Sequence, residues 1–198
     1  MNKADLINKC REKYYDPYID TDLYLKKKEE VVAYIMAKGQ AIKTIGEIGV
    51  LCGLGAYTLM RSAKATRYRG WDNESYNGSV PTSEAKSLLQ DMSWVFDIRI
   101  ADTQGLNTLD MPEAFDLFHV DGDHHPVACF HDMVLAHKSV REGGWILVDD
   151  YRNQMIQEAV GYWLHRYQDY VLASKHFEGA TGNFLIQVKT YQEMDGLW

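Results

Sequence analysis

The chain has 198 residues, 46% of them hydrophobic and 12% aromatic, with a formal net charge of −7. That length suits one sizeable core rather than two domains; the acidic balance argues against a nucleic-acid partner, and no run approaches the roughly 18 apolar residues of a membrane span. The three cysteines (Cys10, Cys52, Cys129) form no C-x-x-C pair, and the first ten residues contain no apolar signal core; a reducing cytoplasm is expected, with Cys52 and Cys129 as buried thiols.

Residues 3–15 and 22–38 read as two helices parted at Pro17, with Thr21 or Asp22 available to cap the second. In the second, Val32, Ile35 and Met36 share an inward face and Gly39 marks the stop. The run Lys26-Lys27-Lys28, followed by Glu29-Glu30, reads as a solvated helix face. Residues 1–40 thus form a helical arm on a main domain of residues 41–198. Tyr14, Tyr15, Tyr18 and Tyr24 crowd the arm, either lining a pocket for an aromatic or sugar-bearing substrate or simply packing the arm down. Exchange of such helices between two subunits would give a homodimer.

Lys43 to Met60 reads as a buried strand, a glycine-rich turn and a helix start, a design that lets the backbone approach a ligand and offers it unpaired N–H groups. The spacing Glu47-x-Gly49-x-x-x-Gly53-x-Gly55 does not fit the dinucleotide fingerprint, which would need a small residue at Thr58. Ala56, Leu59, Met60 and Ala63 continue at helical spacing. A short strand then ends in Asp72, where a carboxylate would accept both hydroxyls of a ribose. Residues 81–94 read as a helix with Leu88, Leu89 and Met92 inward, after a polar loop, 73–81. A third strand ends at Asp102 and a fourth, A-F-D-L-F-H-V-D, at Asp121. Val127, Phe130 and Val134 give the next helix its inward face, and G-G-W-I-L-V-D-D is a fifth strand ending at Asp149-Asp150. Ile156, Val160, Trp163 and Tyr167 mark a further helix, and two last strands joined by E-G-A-T-G form an antiparallel hairpin. The result is an α/β fold: a doubly wound, mostly parallel sheet with one reversed strand.

Ligands of such a sheet sit at the carboxyl ends of its strands. There Asp121 and Asp149-Asp150 end two strands expected to be neighbours about 5 Å apart. Three converging carboxylates repel unless a cation lies between them, and all-oxygen ligation suits Mg²⁺ or another hard divalent cation.

An acid two places before Gly49, with Gly53 and Gly55 following, resembles the first motif of class I S-adenosylmethionine-dependent methyltransferases, in particular the catechol- and caffeoyl-CoA-like branch with its E-x-G-x-x-x-G-x-[ST]. V-D-G-D-H-H and I-L-V-D-D-Y are similar to the strand endings of that branch and of related sugar O-methyltransferases, so the resemblance runs from about Thr44 to Lys189. It implies a Rossmann-like seven-stranded sheet of order 3-2-1-4-5-7-6, S-adenosylmethionine as cofactor, and methyl transfer to a hydroxyl of a small molecule such as a catechol, a sugar or another natural product. It further implies cofactor contacts at Glu47, Gly49, Gly53, Gly55, Asp72 and Asp102, the last either accepting the adenine amino group or capping a turn. Asp121, Asp149 and Asp150 match the branch's metal ligands. Gly55 departs from the branch's hydroxyl residue, leaving backbone N–H groups to hold the methionine carboxylate.

His124 matches the branch's proton acceptor, and an unperturbed imidazole suits that task at neutral pH; Asp123 is the second candidate. Pro126 would open the following helix, with His125 near its cap. Two rivals stand beside this reading. His119-x-Asp121-x-Asp123-His124 superficially resembles the metal motif of zinc-dependent hydrolases, whose fold is a β-sandwich. The chain could also be a non-catalytic nucleotide- or partner-binding protein of the same fold.

Overall fold

The computed structural model describes residues 3–14, 20–75, 82–90, 94–111 and 113–191. Two helices, α1 (Lys3–Tyr14) and α2 (Thr21–Ala37), precede a β/α succession: β1 (Thr44–Ile48), α3 (Leu54–Ala63), β2 (Arg67–Asp72), α4 (Thr82–Leu89), β3 (Val95–Ile100), β4 (Phe115–Val120), α5 (Pro126–Ser139), β5 (Val140–Val148) and α6 (Gln154–Arg166). A hairpin, β6 (Val171–Phe177) and β7 (Asn183–Val188), closes it. The strands form one sheet in the order β3-β2-β1-β4-β5-β7-β6, and β7 runs antiparallel to both of its neighbours. This is the expected seven-stranded, doubly wound architecture with one reversed strand. Among the described residues no helix is long and apolar enough to cross a membrane.

Two apolar layers flank the sheet. One joins α2, α3 and α4 through Val31, Val32, Ile35, Leu54, Leu59, Met60 and Leu88; the other joins α5 and α6 through Met133, Leu135, Ile156, Val160 and Trp163. β1, β4 and β5 are buried along most of their length, as their near-continuous apolar runs require of parallel strands covered on both faces. All three cysteines are buried free thiols.

The local differences from expectation have identifiable causes. Asp20, not Thr21 or Asp22, caps α2, its carboxylate accepting the Leu23 N–H at 3.0 Å. The inward stripe of α2 is Tyr24, Lys28, Val31, Val32 and Ile35, whereas Met36 is 46% exposed. The stripe follows the 3.6-residue period back through a lysine, so Lys28 is not on a solvated face. On α5, Val127 is 70% exposed, and Ala128, Cys129 and Asp132 face inward instead. α4 stops at Leu89, with Leu88 and Leu89 buried as expected. Tyr15, Pro17, Tyr18, the Tyr14 side chain, loop residues 76–81 and Met92 lie outside the described residues.

Candidate active site

Parallel pairing aligns the carboxyl ends of β1, β2, β4 and β5, and the ladder continues into their loops. The Gly49 N–H donates to Trp71 O at 2.9 Å, Asp121 N–H to Ile48 O at 2.9 Å, and Asp149 N–H to Val120 O at 3.0 Å. Gly49 adopts φ +85°, and a Cβ there would lie 1.9 Å from the Asp121 carbonyl oxygen. Only glycine lets these two loops cross, which is what opens a cleft where the strand order reverses. The cleft is a cavity of about 970 Å³. Its lining includes Glu47, Gly49, Gly55, Asp72 and Asp102 together with Asp121, Asp123, His124 and Asp150. The sheet therefore gathers nearly all of the expected site residues around one space. Gly53 is set behind them as the left-handed N-cap of α3, against Ala85 of α4.

Several of these groups already have protein partners. Asp72 Oδ2 accepts the Val50 and Leu51 N–H groups, each at 2.8 Å, and Oδ1 accepts that of Glu74 at 2.6 Å, so the acid at the end of β2 also shapes the glycine loop. Asp102 Oδ1 accepts the Gln104 N–H at 3.0 Å and caps a short 3₁₀ turn at the cavity edge. Asp123 Oδ1 accepts the His125 N–H at 2.9 Å, and Pro126 opens α5 as expected. Glu47 is buried: Oε1 meets His119 Nδ1 at 2.6 Å, and Oε2 accepts from the Tyr68 hydroxyl, whose pKa burial and this carboxylate push well up.

Behind the cavity lies a charged group that the sequence reading missed. Lys28 Nζ is fully buried, donating to Asp149 Oδ2 at 2.6 Å and lying 3.0 Å from His119 Nε2. Burial opposes its charge, but Asp149, Asp121 and Glu47 outweigh that and hold the lysine above its ordinary pKa. Burial and Lys28 likewise pull the His119 imidazole down, against the lift of Asp149 and Glu47. Two protonated nitrogens cannot face each other across 3.0 Å, so lysine and imidazole carry one positive charge between them. Asp149 Oδ1 accepts from Asp150 N–H at 2.9 Å, Asn183 Nδ2 at 3.0 Å and Thr181 Oγ1 at 3.1 Å. Burial notwithstanding, Lys28 and His119 keep Asp149 ionised well below the usual carboxylate range.

Asp121 receives the Tyr24 hydroxyl at 3.1 Å; burial and the Asp149 charge push it well up, partly offset by His119 and Lys28. His124 Nε2 lies 2.8 Å from Asp150 Oδ2. This hydrogen bond raises the imidazole to about 9, so it is not the unperturbed base expected from sequence: the pairing makes it a stronger base present in smaller amount at neutral pH. Asp132 is a second missed acid. It is buried at the cavity wall, accepts from Thr103 Oγ1 at 2.7 Å and Gln104 Nε2 at 3.2 Å, and is pushed by burial to about 7.

Among the described residues, donor atoms that approach one another closely form two groups, His119–Asp121–Asp149 and Asp121–His124–Asp150. Neither contains Asp123, and the parallel sheet is not the β-sandwich that the hydrolase reading needs; that reading falls.

The fold has counterparts among known proteins. An O-methyltransferase from Streptomyces achromogenes involved in tomaymycin synthesis, solved with S-adenosylmethionine, superposes with a TM-score of 0.68 at 15% identity, over 94% of this chain and 89% of that one. An O-methyltransferase from Bacillus cereus, solved with S-adenosylhomocysteine, gives 0.67 at 16% identity over 94% and 90%. The N-methyltransferase NodS from Bradyrhizobium japonicum, also with S-adenosylhomocysteine, gives 0.63 at 13% over 96% and 98%. At these identities the likeness is one of fold, and it spans enzymes with different acceptor atoms. No curated protein sequence matches the chain. A family model described as a methyltransferase domain matches residues 47–151, from the acid of the glycine loop to just beyond the paired aspartates. That match covers more than half of the chain, which thus belongs to this methyltransferase family.

Proposed function

We propose that the chain transfers the methyl group of S-adenosylmethionine to a hydroxyl oxygen of a small molecule. The observation that carries this reading is that one cavity is lined both by the glycine loop with Asp72 and Asp102 and by the His124–Asp150 pair. A hydroxyl must lose its proton as the sulfonium methyl arrives, whereas a neutral amine attacks with its own lone pair. The His124–Asp150 pair offers that proton a destination, and Asp123 also lines the cavity. Glu47, Gly49, Gly53, Gly55, Asp72 and Asp102 form the cofactor side. Asp72 suits a ribose hydroxyl, because Oδ1 keeps acceptor capacity beyond its one backbone contact whereas Oδ2 already accepts two. The three buried free thiols suit the reducing cytoplasm in which we place the protein.

The resemblance implies Mg²⁺ on Asp121, Asp149 and Asp150. The residues do not fit that ion: Asp149 already serves three donors through Oδ1 and an ammonium through Oδ2. No step of the reaction is therefore drawn through a metal. Bringing the acceptor oxygen into line with the methyl group is left to the cavity walls, and positioning of that kind alone supplies a large part of such a barrier reduction.

The test is methyl transfer from labelled S-adenosylmethionine to panels of catechols, sugars and phenolic natural products, each beside its amine analogue. Transfer to hydroxyls, lost in His124→Gln with S-adenosylhomocysteine affinity kept within a few fold, is expected. Transfer to amines alone would refute the oxygen assignment, and no affinity for S-adenosylhomocysteine would refute the reading altogether.

A further inference from the structure

The buried lysine and the glycine that departs from the resembling motif belong together. A Cβ on Gly55 would lie 3.2 Å from Glu47 Oε1, 3.5 Å from Lys28 Cε and 3.7 Å from His119 Cε1. A hydroxyl-bearing side chain at this position would extend further into the same space. Only the Glu47 contact is tighter than ordinary packing, so the absent side chain spares Glu47 Oε1, the partner of His119 Nδ1, while the stem of Lys28 runs past at contact distance.

Its ammonium arrives at atoms a metal would need. Asp149 Oδ2 lies 2.6 Å and His119 Nε2 3.0 Å from Nζ, and the two belong to residues of the inner donor group His119–Asp121–Asp149. A divalent ion would take the same lone pairs at about 2.0–2.2 Å, so lysine and metal exclude each other there. The Tyr24 ring, with its centroid 4.3 Å from Nζ, closes the remaining side with a face that favours a cation.

We infer that Lys28 is the resident cation of the strand-end carboxylates, a positioning residue standing where a divalent metal would otherwise bind Asp149 and His119. Its catalytic meaning rests on the methyl-transfer reading above. A fixed single charge replaces an exchangeable double one: it locks Asp149 and His119 and leaves Asp121 and Asp150 facing the acceptor. An ammonium has no vacant orbital with which to bind and acidify a hydroxyl, so the proton of the acceptor falls to the His124–Asp150 pair.

Manganese(II) is the probe, because its electron paramagnetic resonance signal reports free ion. Chelator-treated wild type, Asp149→Asn, Lys28→Met and the Lys28→Met/Asp149→Asn double variant are titrated with MnCl₂. Wild type and Asp149→Asn are expected to bind alike, and Lys28→Met to bind at least tenfold more tightly through a site that the double variant loses. Wild-type binding that Asp149→Asn removes would overturn the inference, as would a folded Lys28→Met that gains no such site. Should Lys28→Met fail to fold, the comparison of wild type with Asp149→Asn decides alone. Binding that survives Asp149→Asn and is lost in Asp150→Asn belongs to the outer group Asp121–His124–Asp150 and supports the inference, since Asp149 takes no part in it. Calorimetric titration of the wild type with S-adenosylhomocysteine in excess chelator separates the two readings. Its failure would remove the methyltransferase reading while the manganese result still judges Lys28.

Discussion

Replacing Lys28 by methionine keeps most of the buried stem and removes only its charge. The Asp149 side chain, 1% exposed, would then keep three neutral donors on Oδ1, while its other oxygen would have only His119 Nε2, at 3.6 Å. Removing one partner of a buried ion pair costs about 3–5 kcal/mol; because His119 can take up the charge, about 3 kcal/mol is expected here. For a domain stable by about 5–15 kcal/mol that is a large fraction. With a urea m-value of about 2 kcal/mol/M, the midpoint should fall by about 1.5 M. The assay is urea unfolding followed by the fluorescence of buried Trp145 and Trp163. Adding Asp149→Asn removes the stranded charge while retaining an acceptor oxygen for Thr181, Asn183 and the Asp150 N–H. The double variant should recover at least half of the loss, a coupling well above the few tenths found for independent sites. A loss below about 1 kcal/mol in Lys28→Met, or additive losses in the double variant, would refute the account of the pair.

Asp72→Asn should weaken S-adenosylhomocysteine binding by about tenfold or more, the value of a hydrogen bond to a charged group, and calorimetry giving an unchanged constant would remove Asp72 from the ribose. Gly49→Ala sets a methyl group 1.9 Å from the Asp121 carbonyl oxygen at a φ of +85°, so soluble protein with unaltered melting and cofactor affinity would contradict the loop crossing. His137, buried among Trp163, Tyr167, Tyr170 and Tyr191, has its pKa lowered by burial to about 4. The folded state therefore disfavours its proton: this contribution is complete above about pH 6.5 and is lost as pH falls toward 4, by about 2.5 kcal/mol between pH 7.5 and 4.5. Unfolding of His137→Phe should show that much less pH dependence than wild type, and parallel profiles would refute the assignment.

The strand-end acids were legible because a parallel sheet leaves its ligand site in the loops after the strands, where a lone acid following an apolar run stands out. Asp72, Asp121, Asp149 and Asp150 were found this way, as were the reversed strand and the E-G-A-T-G turn. Lys28 was hidden by composition: among Lys26, Lys27, Glu29 and Glu30 it has the look of surface. The period would have exposed it, since Tyr24, Lys28, Val31, Val32 and Ile35 fall on one stripe and a charge there must be buried or break the helix face. Asp132 was obscured in the same way inside an apolar helix. The partners that raise His124 and saturate Asp149 come from residues distant in sequence, Asp150, Thr181, Asn183 and Lys28, and no local pattern announces such meetings.

The reach of Lys28 from α2 to Asp149 also bears on how such enzymes can be rebuilt. The segment that identifies the family begins at Glu47, so a chain trimmed to it, or one whose first helices were exchanged for foreign ones, would discard Lys28 while keeping Asp149. Asp149 would be stranded in the interior. The first helices and the strand ends are thus not independent modules: position 28 and position 149 would have to be transplanted as a pair, and a chimera that carries Asp149→Asn should accept foreign N-terminal helices more readily than one that retains the acid.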